Sequence, residues 1–224
     1  MIENLEELID KLDNLNAMGR YQEVQAEVAS LLAEDDQEAA LWVVKGNAEY
    51  GFGNFIQAAD DFATAISLNP DDVGARSNYA LVLYTLERYV DGLNACDSAL
   101  YIDDECVSAY MNAAHCLEAL GHGDLALEYM EKAVQKNEHD GNTIVRVADM
   151  MSDYGYYEAA KNALMQAARL NTPSDIHERI AAFFADAKAR GIERVRIHAD
   201  VSAWRNEFER HPDVFNLATP LLSE

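Results

Sequence analysis

Apolar and small residues return along this chain with the spacing of amphipathic helices, and the pattern itself repeats. From Ala39, the residues Trp42, Gly46 and Tyr50 fall on one helix, and Ala58, Phe62 and Ala65 stripe a second at i, i+4 and i+7. Between them Gly53-Asn54-Phe55 reverses the chain, and Pro70 ends the second helix because it cannot continue the ladder of amide hydrogen bonds. The same turn place recurs as Gly19-Arg20-Tyr21, Glu87-Arg88-Tyr89, Gly121-His122-Gly123 and Gly155-Tyr156-Tyr157, at a uniform step of 34 residues with no insertion. A period of that length predicts stacked helical hairpins, an all-α chain in which each hairpin buries its apolar face on its neighbours.

Five units begin near residues 5, 39, 73, 107 and 141 and fill residues 1–172. Gly46 and Ala58 are small where two helices cross, since a larger side chain there would overpack at roughly 1–3 kcal/mol. The third unit places Gly92 and Cys96 at the places of Ala58 and Phe62, and the first, from Leu5, lacks the small pair and reads as an N-terminal cap. The order Trp42, Gly46, Tyr50, Gly53, Phe55, Ala58, Phe62, Ala65, Leu68, Pro70 resembles the tetratricopeptide repeat (TPR) almost place by place. That resemblance implies a right-handed superhelical solenoid of about five helix-turn-helix repeats. Residues 173–224, with Ile176, Ile180, Phe183 and Phe184 on one face and then Val201, Trp204 and Phe208, are expected to form C-terminal capping helices and an apolar tail.

The resemblance also implies a binding surface. In TPR proteins the groove is reached from fixed places on the first helix of each repeat. Here those places hold Val43, Asn47 and Tyr50, then Ser77, Asn78, Leu81 and Tyr84, then Met111, Asn112 and His115, and finally Val145, Arg146 and Asp149. Asn78 and Asn112 occupy one place in consecutive repeats and are expected to stand one above the other. A side-chain amide can pair with the N–H and C=O of an extended peptide, although asparagine is equally at home as a polar residue on an exposed helix. Tyr50 and Tyr84 share another place, where a tyrosine either faces the groove or belongs to the core. The carboxylate clamp known from some TPR proteins needs basic residues at places held here by Val43, Ser108 and Asn112, so an anionic chain terminus is disfavoured as ligand.

Charge narrows the partner further. The chain carries a formal charge of −23 with acidic residues spread throughout, which repels phosphate backbones and anionic lipid. The expected partner is a neutral or basic protein or peptide, with neither nucleic acid nor a membrane surface involved. No apolar run reaches the length of a membrane span, and the start shows no secretory signal. Cys96, Cys106 and Cys116 are odd in number and lack C-x-x-C spacing, which fits reduced thiols in the cytoplasm.

Catalytic and metal chemistry find little purchase. Gly51-Phe52-Gly53 is a hairpin turn, not a phosphate-cradling loop, and the histidines are scattered. The pairs Asp35-Asp36, Asp60-Asp61, Asp71-Asp72 and Asp103-Asp104 read as helix caps and solvated turns. No enzyme activity, cofactor or metal is expected. The leading expectation is an adaptor or scaffold that binds a peptide segment of a partner protein. Ala109 to Leu117 is also similar to a stretch of the TPR chaperones that hold type III secretion translocators, which keeps a cytosolic chaperone as the alternative. Self-association through the apolar tail 211–224 is a third.

Overall fold

The computed structural model describes residues 5–170 together with 182, 183, 185, 186 and 189. The rest of the proposed C-terminal cap and the tail 211–224 lie outside the described residues. Among the described residues ten α-helices follow one another, joined in five helix-turn-helix repeats: α1 (Leu5–Ala17) and α2 (Tyr21–Glu34), α3 (Ala39–Phe52) and α4 (Phe55–Leu68), α5 (Val73–Thr85) and α6 (Tyr89–Ile102), α7 (Val107–Ala119) and α8 (Gly123–Lys136), and α9 (Gly141–Asp153) and α10 (Tyr157–Ala168). The described residues contain no strand, so the chain is all-α as the period predicts.

Each hairpin turns through one left-handed residue. Gly53 has φ 85°, its N–H donates to Tyr50 O at 2.9 Å, and the N–H of Asn54 donates to Glu49 O at 2.9 Å. This pair of bonds satisfies carbonyls that the helix end would leave unpaired. Gly19, Gly121 and Gly155 repeat the geometry. The third turn makes the same two bonds, from Glu87 to Tyr84 O and from Arg88 to Leu83 O, but with a glutamate at φ 60°. A side chain in that conformation crowds its own backbone, at a cost of about 1–2 kcal/mol.

The chain falls into two compact units, Met1–Ala126 and Leu127–Glu224. In the first, Leu12, Val24, Val28, Leu41, Val44 and Ala48 bury a core shared by α1, α2 and α3. The weak first repeat therefore packs as a full hairpin. A second core gathers Ala58, Ala59, Phe62 and Val82, with Val43, Tyr50 and Phe55 against it. A methyl group at Gly46 would come within 2.9 Å of the Phe62 ring, so the glycine is what admits the aromatic side chain. The third repeat reverses the arrangement. Ala80 stands at the glycine place, Gly92 at the alanine place, and a methyl group at Gly92 would meet Cys116 Sγ at 2.9 Å. Cys96 and Cys116 are fully buried, and burial raises both thiols, Cys116 to about 11 and Cys96 further. Both stay protonated and unreactive at neutral pH.

Buried charges interrupt this apolar interior. Asp61 on α4 is 1 % exposed and accepts from Lys45 Nζ at 2.7 Å, while Lys45 also lies 4.9 Å from the centroid of the Trp42 ring. Burial pushes the Asp61 carboxyl up and Lys45 pulls it back. The pair Asp60-Asp61, expected among solvated turns, thus includes a core residue. Asp72 and Asp140 do act as caps, accepting from Ala75 N at 2.8 Å and Asn142 N at 3.0 Å. In the second unit, Ile144, Val147, Ala148 and Met151 of α9 are buried, as are Ala160, Leu164 and Ala167 of α10. There Lys161 is buried and paired with Glu158, and the Tyr157 ring lies 6.2 Å from that of Phe183.

Candidate peptide-binding face

First helices of consecutive hairpins in the first unit are direct neighbours, α1 beside α3, α3 beside α5 and α5 beside α7. A 34-residue repeat brings one place of each helix alongside the corresponding place of the next. Side chains at those places can therefore bond across helices, and here they do.

Asn78 Nδ2 donates to Asn47 Oδ1 at 3.0 Å, joining α5 to α3. Asn112 Nδ2 donates to the backbone oxygen of Ser77 at 2.9 Å and to its hydroxyl at 3.2 Å, joining α7 to α5. Ser77 Oγ in turn donates to Ser108 Oγ at 3.0 Å. The row continues into α1, where Asp13 lies beside the side-chain amides of Asn47 and Asn16, and Asn16 Nδ2 donates to Val44 O at 3.1 Å. Asp13 and Asn16 were not among the expected site residues, because the first repeat reads from sequence as a cap. Their places match those of Asn47 and Tyr50, which is the signal that could have found them. Burial and the neighbouring Asp10 hold the Asp13 carboxyl above its ordinary range, against the pull of the two amides.

The expected residues differ in their surroundings. Asn47, Asn78, Leu81, Met111 and Asn112 are half-buried on neighbouring first helices. Val43 and Tyr50 are also half-buried but lean on the second core, with the Tyr50 ring 5.4 Å from Phe55. Tyr84 makes ring contacts with Tyr89 at 5.7 Å and with His115 at 5.3 Å, so it ties α5 to both α6 and α7. Burial lowers the pKa of His115, leaving it a neutral imidazole near pH 7. Ser77 is 1 % exposed and serves as the acceptor behind Asn112 rather than as surface. In the second unit, Val145 is buried on α9 and Arg146 is exposed.

Ala109, Ala113, Ala114, Cys116 and Leu117 are all buried, so packing accounts for the stretch that resembles secretion chaperones. Among the described residues no three His, Cys, Asp or Glu side chains are placed to hold a metal ion. None of the described helices is long and apolar enough to cross a membrane.

The repeat geometry, the left-handed turn in every hairpin and the small residue beneath Phe62 point to one fold family. The family model described as tetratricopeptide repeat matches residues 3–172. The chain belongs to the tetratricopeptide-repeat family. Among solved structures similar to this TPR chain are PilW, described as a widely conserved type IV pilus biogenesis factor, and pilF of Pseudomonas aeruginosa. PilW is 17% identical with a TM-score of 0.66 and covers 98% of each chain. The pilF structure is 14% identical with a TM-score of 0.64, covering 96% of this chain and 94% of that one. A thermophilic TPR protein of Thermus thermophilus is 17% identical with a TM-score of 0.65, covering 80% of this chain and 98% of that one. At these identities the likeness is one of fold. A mouse protein, DnaJ homolog subfamily C member 7, is 25% identical over 107 residues, which are 47% of this chain and 22% of that protein.

Proposed function

We propose that this TPR chain is a non-enzymatic protein–protein interaction module, an adaptor or scaffold that takes a peptide segment of a partner against the first-helix face of its first unit. One observation carries the reading. Half-buried apolar side chains, Leu81 and Met111, lie among amide side chains already fixed by bonds between helices. Apolar surface supplies affinity, and polar groups held in place supply orientation without an ordering cost at binding. The family's use as interaction modules supports the same reading. The chaperone alternative has no observation of its own, since its motif is core.

The test is to select binding peptides by display on the full chain and map them by hydrogen exchange. Protection should concentrate on α3, α5 and α7. A rival surface exists along the second helix α6, where an open cleft of about 590 Å³ is lined by Arg76, Asn94 and the exposed Tyr101. Protection there, with none on the first helices, would place the site on the other side of the hairpins.

A further inference from the structure

We infer that the segment bound by this face is cationic and rich in hydrogen-bond donors, because the face turns acceptors and carboxylates toward a ligand and holds no cation of its own. The inference rests on the peptide-binding reading above and names the chemistry of the partner.

An asparagine amide has a donor end and an acceptor end, and which end faces outward is decided by what it meets inside. Two fixed acceptors settle the matter here. The carboxylate of Asp13 can only accept when ionised, which favours the donor end of the nearby Asn47 amide on its side. That leaves Asn47 Oδ1 to receive Asn78 Nδ2, at 3.0 Å. The backbone oxygen of Ser77 is likewise only an acceptor, so Asn112 must also point its Nδ2 inward, at 2.9 Å. The donor ends are thus directed at the protein. Asn78 Oδ1 and Asn112 Oδ1 take no donor from the described residues, and neither is buried, unlike the partnerless Asn16 Oδ1.

Charge agrees with this polarity. The groove places of the first four repeats hold Glu6, Asp10, Asp13 and Glu118, and no lysine or arginine. The nearby cations are engaged elsewhere: Lys11 with Glu27 at 2.8 Å and Lys45 with Asp61. Asp13 has two amide side chains and no cation beside it. A lysine or arginine side chain supplies the missing charge, and its several N–H groups match a row of carbonyl oxygens. An acidic segment would set carboxylates against these oxygens with no donor between them.

The experiment uses the full chain and three short fluorescent peptides with one shared apolar pattern, bearing Lys, Gln or Glu at the intervening positions. Anisotropy titrations should show the Lys peptide binding at least about tenfold more tightly than the Glu peptide, with the gap narrowing as salt is raised. Leu81→Lys should abolish that binding. Ile56→Lys, on a 73 % exposed residue of α4, adds the same charge away from the face and should leave binding unchanged. Because Leu81→Lys could disturb folding, Asp13→Asn, which keeps the shape, serves as the second variant and should weaken the Lys peptide alone. Gln or Glu peptides that bind as well as Lys, and respond to Leu81→Lys but not to Ile56→Lys, would overturn the cationic assignment and leave the face as the site. Equal loss in Leu81→Lys and Ile56→Lys would mark a diffuse attraction to net charge, and both readings would fall.

Discussion

The side-chain amide of Asn112 on α7 donates to the backbone oxygen of Ser77 on α5 at 2.9 Å. A residue that looks from sequence like a ligand contact is therefore also a tie between repeats, and its substitution has a structural effect before any partner arrives. Asn112→Ala should lower stability by about 1 kcal/mol, the net worth of one such bond. Asn112→Asp should cost more, about 2 kcal/mol, because it sets a carboxylate against the backbone oxygen of Ser77, which has no proton to give. Urea unfolding of the two variants checks the order; equal stability of Asn112→Asp and wild type would mean that the tie carries no weight.

The Gly46–Phe62 contact gives a coupled prediction. Gly46→Ala places a methyl group 2.9 Å from the ring and should destabilise by about 1–3 kcal/mol. Phe62→Leu alone should also destabilise, by shrinking a filled core site. In the double variant the losses should fall short of additive, since the smaller side chain leaves room for the methyl group. A strictly additive cycle would refute the steric account.

Glu87 holds the left-handed place that glycine fills in the other four hairpins. Glu87→Gly should raise stability by roughly 0.5–1 kcal/mol, the relief of backbone crowding less the greater entropy of an unfolded glycine. Gly53→Ala, the reverse change in the preceding hairpin, should lower it. Melting temperatures of the two variants moving in the same direction would contradict this.

His115 predicts a pH dependence. Burial holds its folded pKa below the ordinary value of 6.5, so the unfolded chain takes up a proton that the folded chain resists. Stability should therefore fall as pH drops through 6.5 toward the lower folded value. Asp13 and Asp61, whose carboxyls are raised, act in the opposite sense, in a window just above their ordinary 3.8. Comparing wild type with His115→Gln at pH 7.5 and 5.5 isolates the imidazole: the variant should lose less stability on acidification. An identical loss in both would assign it to other groups.

What could be read in advance followed physical rule. The 34-residue period gave the hairpins, and Ala39, Val73, Val107 and Gly141 each open a first helix at the expected repeat start. The small residue at Gly46 announced a crossing, though not that Phe62 fills it. Other features were hidden because they depend on pairings between distant residues. Nothing in Asp60-Asp61 tells which carboxylate meets Lys45 in the core. Ser77 shares its place with Val43 and Met111, yet is buried where they are half-exposed. The direction in which an amide points cannot be read from the letter N; it needs the acceptor on the next helix.

Asp13 has a reach beyond its own position. The carboxylate favours one end of the Asn47 amide, and Asn47 Oδ1 receives Asn78 Nδ2, so one group on α1 biases the orientation of two on α3 and α5. A lysine in place of Asp13 would present a donor instead, and both amides would be free to rotate end for end, while Asn112 stayed pinned by the backbone of Ser77. Most of the surface could then exchange its taste for donors against one for acceptors through a single codon, with every asparagine left where it is.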